Sequence, residues 1–203
     1  MQEQHADLTA WLEKIEGMHP RGQAGIELGL DRVASVAATL GQTARLAGKP
    51  ILSVAGTNGK GSVVTYLSNI LDRAGYKVGT YTSPHLVQFN ERIRLNGSPA
   101  ADAAITAAFE AVETARASTG VTLTYFEFTT LAAIEVFLDA GVDVLVLEIG
   151  LGGRLDAVNL YDADVSVITG VALDHQDFLG ETREAIALEK IGVARAGRPV
   201  VIA

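Results

Sequence analysis

Apolar residues fall along the chain in two rhythms. In residues 8–16 (Leu8, Trp11, Leu12, Ile15) and 28–46 (Leu28, Leu30, Val33, Val36, Ala37, Leu40) they recur at the spacing of helices with one buried face. Between them His19-Pro20-Arg21-Gly22 predicts a loop, from its proline and glycine. From Lys49 onward, short apolar runs alternate with helical stretches. The runs 51–55, 77–81, 142–148, 165–169 and 199–202 predict strands, and helices are expected at about 61–74, 100–118, 127–140 and 180–196. Residues 91–97 predict a short hairpin arm that turns at Asn96-Gly97. The alternation predicts an α/β fold, a mostly parallel sheet with helices on both faces. Val200-Val201-Ile202-Ala203 reads as a buried strand with nothing after it, so the chain is expected to stop short of a complete domain.

Composition narrows the class. A chain of 203 residues, 48% apolar and 20% charged, has the length of one globular domain or slightly more. Its apolar runs, such as 144–147, fall far short of the ~20 residues that span a bilayer. The acidic start (Met1-Gln2-Glu3, then Asp7) lacks the basic region of a signal peptide, so no membrane partner is expected. The absence of cysteine excludes disulfides, thiolate metal sites and cysteine nucleophiles. A net charge of −8 argues against nucleic acid as a partner, although a small anion can still be bound locally.

The strongest local signal is the strand 51–55 followed by Gly56-Thr57-Asn58-Gly59-Lys60-Gly61-Ser62 and a helical stretch. Strand, glycine loop and helix in that order aim backbone N–H groups and the positive helix end at one spot. That spot suits a phosphate chain, with Lys60 adding a point charge. The loop is a variant of Gly-x-x-x-x-Gly-Lys-Ser/Thr, because Val54 replaces the first glycine and Gly61 follows the lysine. A Mg²⁺ on the phosphates would then take its protein oxygen from Ser62 or from another loop. The plainer alternative is a glycine-rich turn.

Ligands of open parallel sheets bind beyond the carboxyl ends of the strands. After 77–81 comes Thr82-Ser83-Pro84-His85, and after 142–147 comes Glu148 with Gly150-Leu151-Gly152-Gly153-Arg154-Leu155-Asp156 close behind. Leu173-Asp174-His175 follows 165–169. Glu148 ends a run expected to be buried on both faces, where a carboxylate is costly without a cation or hydrogen bonds. Hard Mg²⁺ takes oxygen ligands, so Glu148 with Ser83 is the first candidate metal pair. Glu148 as a helix cap or as the partner of Arg154 is the alternative. His175 is either a ligand or a hydrogen-bonded loop residue. Lys190 has Ile186, Ala187, Val193 and Ala194 three and four positions away, on the helix face expected to be buried. Burial favours the neutral amine, which can act as a nucleophile or take up CO₂ as a carbamate; the alternative is an amine that snorkels to the surface.

Taken in order, these segments resemble the dihydrofolate synthase/folylpolyglutamate synthase branch of the Mur ligase superfamily. The resemblance rests on Gly56-Thr57-Asn58-Gly59-Lys60-Gly61-Ser62, Tyr81-Thr82-Ser83-Pro84-His85-Leu86 with Glu91-Arg92-Ile93, the stretch from Glu148 to Asp156, and Leu173-Asp174-His175. It runs from about Ile26 to the last residue and implies a P-loop NTPase-like central domain. Residues 1–203 would form its N-terminal part, with 1–48 a helical segment leading into it. The implied activity is an ATP-dependent carboxylate–amine ligase, cytoplasmic and monomeric when full length. ATP phosphorylates a pteroate or folate carboxylate, and the amino group of L-glutamate displaces phosphate to form an amide.

The same resemblance implies the site. Thr57, Asn58, Gly59, Lys60, Gly61 and Ser62 would hold the ATP phosphates, Ser83 and Glu148 one Mg²⁺, and His175 a second. Lys190 matches the family's carbamylated lysine (N6-carboxylysine), so Lys60, Lys190 and His175 form the implied catalytic set. On the pterin side stand Glu27, Leu28, Gly29 and Leu30, then Thr124, Tyr125, Phe126 and Glu127, then Leu155, Asp156 and Ala157. Phe126 would stack on the flat pterin and Asp156 accept its N–H donors, whereas without the resemblance Phe126 reads as a core residue. These segments favour the bifunctional form, which accepts dihydropteroate as well as tetrahydrofolate. Family members continue with the rest of the central domain and a C-terminal domain that helps bind glutamate. The 203 residues alone are therefore expected to be inactive. A stand-alone nucleotide-binding P-loop module, or an NTPase without ligation, is the rival reading.

Overall fold

The computed structural model describes residues 2–19 and 25–203; Pro20, Arg21 and Gly22 of the expected loop lie outside them. Helices α1 (Gln2–Met18), α2 (Asp31–Thr39) and α3 (Gln42–Arg45) precede β1 (Ile51–Ala55). The single helix expected over 28–46 is two, because Gly41 takes a left-handed φ of 66° between them. The chain continues through α4 (Lys60–Arg73), β2 (Val78–Tyr81), β3 (Ile93–Leu95), β4 (Ser98–Pro99), α5 (Asp102–Thr119) and α6 (Tyr125–Asp139). It ends with β5 (Val144–Glu148), β6 (Val165–Ile168), α7 (Gln176–Leu179), α8 (Arg183–Ile191) and β7 (Val200–Ile202).

Seven strands form one sheet in the order β4-β3-β2-β5-β1-β6-β7. Strands β2, β5, β1, β6 and β7 are parallel, and β3 and β4 add an antiparallel edge. Strand β1 lies inside the sheet, with Val54 opposite Glu148 on one side and Ala55 opposite Ile168 on the other. From β1 the chain crosses to β2 on one side, whereas from β5 it crosses β1 to β6 on the other, so the direction of the connections reverses between the carboxyl ends of β1 and β5, where a ligand crevice belongs.

Period-two alternation sorts the strand residues into two cores. Leu52, Val54, Val144 and Val146 pack with Val64 of α4, whereas Ile51, Ala55, Leu145 and Leu147 join the larger core with α1, α2, α5 and α6. Helices thus cover both faces. At Gly79 a Cβ would lie 2.7 Å from the Phe137 ring, so glycine is what lets α6 settle on β2. Asn96 and Gly97 both have positive φ, 50° and 75°, and turn the expected hairpin arm; Asn96 Oδ1 accepts from Val78 N (2.8 Å).

The helix expected over 180–196 divides as well. Gly180, at φ 100°, ends α7, and Thr182 starts α8 by accepting from Ala185 N (3.1 Å). Helix α8 stops at Gly192, where a Cβ would lie 2.4 Å from Arg154 Cβ. The final strand forms but is not buried, since Val201 is 54% and Ile202 68% exposed. Among the described residues no helix is long and apolar enough to cross a membrane.

Candidate active site

The loop after β1 is braced from the loop after β6. Thr57 N donates to Gly170 O (2.8 Å), and Ala172 N donates to Thr57 Oγ1 (3.0 Å). Thr169 Oγ1 donates to Asn58 O (2.7 Å), and a Cβ on Gly56 (φ 147°) would lie 1.8 Å from that hydroxyl. Gly59 (φ 83°) delivers the chain into α4, so the free N–H groups of the first helical turn open at the sheet's carboxyl edge. Lys60 folds back, Nζ donating to Gly56 O (3.1 Å) and Thr57 O (3.3 Å).

Lys190 reaches the same loop from α8. It is buried, and its Nζ donates to Gly56 O (3.0 Å), so two amines share one carbonyl. Burial above all, then the charge of Lys60, pushes its pKa down to about 8, with Asp174 opposing. The alternative of a snorkelling amine does not hold.

Glu148 closes β5 beside α4. Its carboxylate is buried and accepts from Ser83 N at 3.3 Å. Burial raises its pKa, against the Ser83 N–H and Lys60. Arg154 is not its partner, because Arg154 Nη2 pairs with Glu189 Oε1 (2.8 Å). A buried carboxylate with one long backbone donor fits the oxygen ligand of a divalent cation. Among the described residues no group of three or more His, Asp or Glu could hold a metal ion unaided, so phosphate or water oxygens would have to complete a shell at Glu148. His175 is exposed, with a left-handed φ of 50° at the head of α7 and Nε2 3.6 Å from Asp174 Oδ2.

One cleft of about 430 Å³ gathers part of this set, but neither Lys190 nor Glu148 is in its lining. Thr57, Lys60, Ser83 and His175 line it together with Glu27, Leu28 and Gly29. So do Thr124, Phe126 and Glu127, and Leu155, Asp156 and Ala157. A neighbouring cavity of about 520 Å³ on the α4 side is lined by Gly61 and Glu148 and also by Ser83.

Residues 54–196 match the Mur ligase middle domain. The chain belongs to the Mur ligase family. It is 49% identical over 198 residues to the dihydrofolate synthase/folylpolyglutamate synthase of Escherichia coli (strain K12), covering 96% of this chain and 44% of that protein. The structure of E. coli FolC in complex with DHPP and ADP superposes with a TM-score of 0.90 at 48% identity, covering 96% of this chain and 45% of that one. A bifunctional folylpolyglutamate synthase/dihydrofolate synthase with Mn, AMPPNP and L-glutamate bound gives 0.86 at 47% identity, with 96% and 46% covered. The chain therefore spans less than half the length of these relatives.

In this Mur ligase chain the far wall of the cleft divides into exposed and committed groups. The half-buried Phe126 ring lies against Gly150, where a Cβ would sit 2.5 Å from its Cζ, and 6.0 Å from the Tyr81 ring. Asp156 is buried, with Oδ2 accepting from Leu151 N (2.8 Å) and Oδ1 from Val158 N (3.0 Å); burial still raises its pKa to about 7. Glu127 is largely spent on structure. It closes a capping box with Thr124 (2.7 and 3.2 Å) and accepts from Arg32 Nη2 (2.9 Å). Arg32 Nη1 also donates to Glu27 Oε1 (2.8 Å), tying the Glu27 segment to α6. Tyr125 turns into the core beside Phe89, and Leu30 packs on the same core rather than on the cleft. Asn58, Gly59 and Ser62 are exposed at the head of α4, outside the cleft lining. Sequence reasoning missed Thr169 and Arg32, whose partners lie 111 and 95 residues away, where no local spacing could signal them.

Proposed function

We propose that the protein containing this chain is an ATP-dependent ligase that adds L-glutamate to dihydropteroate and to tetrahydrofolate. The observation that carries the reading is the single cleft in which Thr57 and Lys60 of the phosphate loop and Phe126 and Asp156 of the opposite wall meet. A nucleotide's terminal phosphate and the carboxylate of a flat heterocyclic acid can therefore be presented to one another. Support also comes from relatives named for this activity and solved with ADP, AMPPNP and L-glutamate.

In the first step a carboxylate oxygen attacks the γ-phosphorus, the bond to the β-bridging oxygen breaks, and ADP leaves. In the second, the glutamate amine attacks the acyl carbon, loses a proton, and phosphate leaves. Lys60 and the α4 N-terminal amides would offset the charge that spreads over the transferred phosphoryl group. Asn58, Gly59, Gly61 and Ser62 extend that cradle. Two Mg²⁺ ions, when bound, supply further charge neutralisation; Ser83 and Glu148 would hold one, and His175 the other. Lys190, as a carbamate, would add an oxygen ligand near Gly56. Phe126 offers its ring to the pterin and Asp156 accepts pterin N–H groups, with Glu27, Leu28, Gly29 and Leu155 forming walls. On this reading residues 1–203 belong to the ATP-binding central domain of a cytoplasmic, monomeric enzyme.

The test is ADP release by the complete gene product with dihydropteroate plus L-glutamate, then with tetrahydrofolate plus L-glutamate. Both are expected to support turnover. Turnover with tetrahydrofolate alone would remove the dihydrofolate synthase activity, and turnover with neither would sink the ligase.

A further inference from the structure

Arg92 is the only buried arginine among the described residues, at 6% exposure. It lies at the end of the 3-10 turn Phe89–Arg92, and its carbonyl accepts from Thr82 N (2.9 Å), which fixes it beside Ser83. Its Nε donates to His85 Nδ1 (2.9 Å), and its guanidinium stands over the rings of Phe89 and Tyr125, 5.9 and 5.7 Å from their centroids. None of these neighbours is an anion. Among the described residues Arg92 has no ion pair, and neither Nη makes a hydrogen bond, yet the side chain lines the cleft with Phe126 and Asp156.

The contrast with other arginines is informative. Arg32, Arg45, Arg116, Arg154, Arg195 and Arg198 all reach a carboxylate, and all are less buried than Arg92. A buried guanidinium without an anion is costly, and two aromatic faces repay only part of that cost. Its planar fork suits a carboxylate held by two parallel N–H bonds. Phosphate already has its own cradle at Lys60 and the head of α4.

We propose that Arg92 binds the carboxylate of the folate-side substrate, the group that is phosphorylated, and aligns it for attack. This rests on the ligase reading above. The geometry makes Arg92 a carboxylate-recognition residue, its plane set by His85 and the Phe89 and Tyr125 rings.

The test is binding of dihydropteroate and of its carboxamide to the complete gene product, without nucleotide or metal, read by calorimetry. The wild-type protein should bind the acid ~10- to 100-fold more tightly than the amide, the range of a charge-assisted pair. Arg92→Gln should bring the acid down to the amide's affinity while leaving the amide unchanged. Arg92→Lys, which keeps charge but loses the fork, should fall between and guards against misfolding in the first variant. Equal binding of acid and amide by the wild type would overturn the proposal, as would equal weakening of both ligands by Arg92→Gln. If the wild type binds neither ligand, the ligase reading fails, and the Arg92 proposal with it.

Discussion

Lys190 makes the sharpest quantitative prediction. Its pKa is lowered from 10.5 to about 8, because burial and the Lys60 ammonium, which donates to the same Gly56 carbonyl, disfavour a second charge. CO₂ reacts only with the neutral amine. At pH 8 roughly half of Lys190 is neutral, against roughly 0.3% of an ordinary lysine, so the reactive fraction rises about 150-fold. Carbamylation replaces a cation next to Lys60 by an anion, which changes repulsion into attraction. The assay is ¹³C NMR of the complete gene product with ¹³C-bicarbonate at a fixed total concentration, so that the falling share of CO₂ offsets the proton that carbamate formation releases and the signal tracks the neutral amine. One carbamate signal should grow as pH rises to about 8, level off above it, and vanish in Lys190→Arg. A signal that keeps growing towards pH 10.5 would refute the lowered pKa. Absence of a signal at pH 8, or its survival in Lys190→Arg, would refute the modification. Lys190→Ala should also lose ligation and recover part of it with added short carboxylates.

Three other outcomes follow from the geometry. Gly56→Ala puts a Cβ 1.8 Å from Thr169 Oγ1 at φ 147°, so the loop must move; AMPPNP affinity should fall at least ~10-fold by calorimetry. Gly79→Ala drives a methyl into the Phe137 ring, an overpacking cost of about 1–3 kcal/mol, so the melting temperature should fall by several degrees with nucleotide affinity unchanged. As a proposed acceptor of pterin N–H groups Asp156 would be strongest when ionised, and its pKa stands at about 7, above the usual 3.8. Dihydropteroate affinity should therefore rise with pH through 7 and fall by up to ~30-fold between pH 8 and 5.5, whereas a flat profile would remove Asp156 from pterin binding.

Chemistry carried by local order was legible in the chain. The strand–loop–helix run over 51–73 forms a loop in which Gly56 and Gly59 take the positive φ that such a turn needs, and Lys190 is buried because its helical neighbours are apolar. What depended on distant partners was not. Glu127 stood in a recognisable segment, yet its carboxylate serves its own helix cap and Arg32. Tyr125, in the same segment, faces the core. The two overlong helices were broken by Gly41 and Gly180, whose left-handed backbones apolar periodicity does not register. The last strand reads as core from composition but sits exposed at the sheet edge next to β6. Arg92 stood inside a quoted motif, and only its burial without an anion marks it out.

The central claim is that a carboxylate is activated by phosphorylation in the cleft between Lys60 and Phe126. The most direct measurement uses dihydropteroate labelled with ¹⁸O in its carboxylate, together with MgATP, L-glutamate and the complete gene product. Mass spectrometry of the released phosphate should find one ¹⁸O atom transferred for each amide formed. Amide formation with unlabelled phosphate would contradict the acyl-phosphate route.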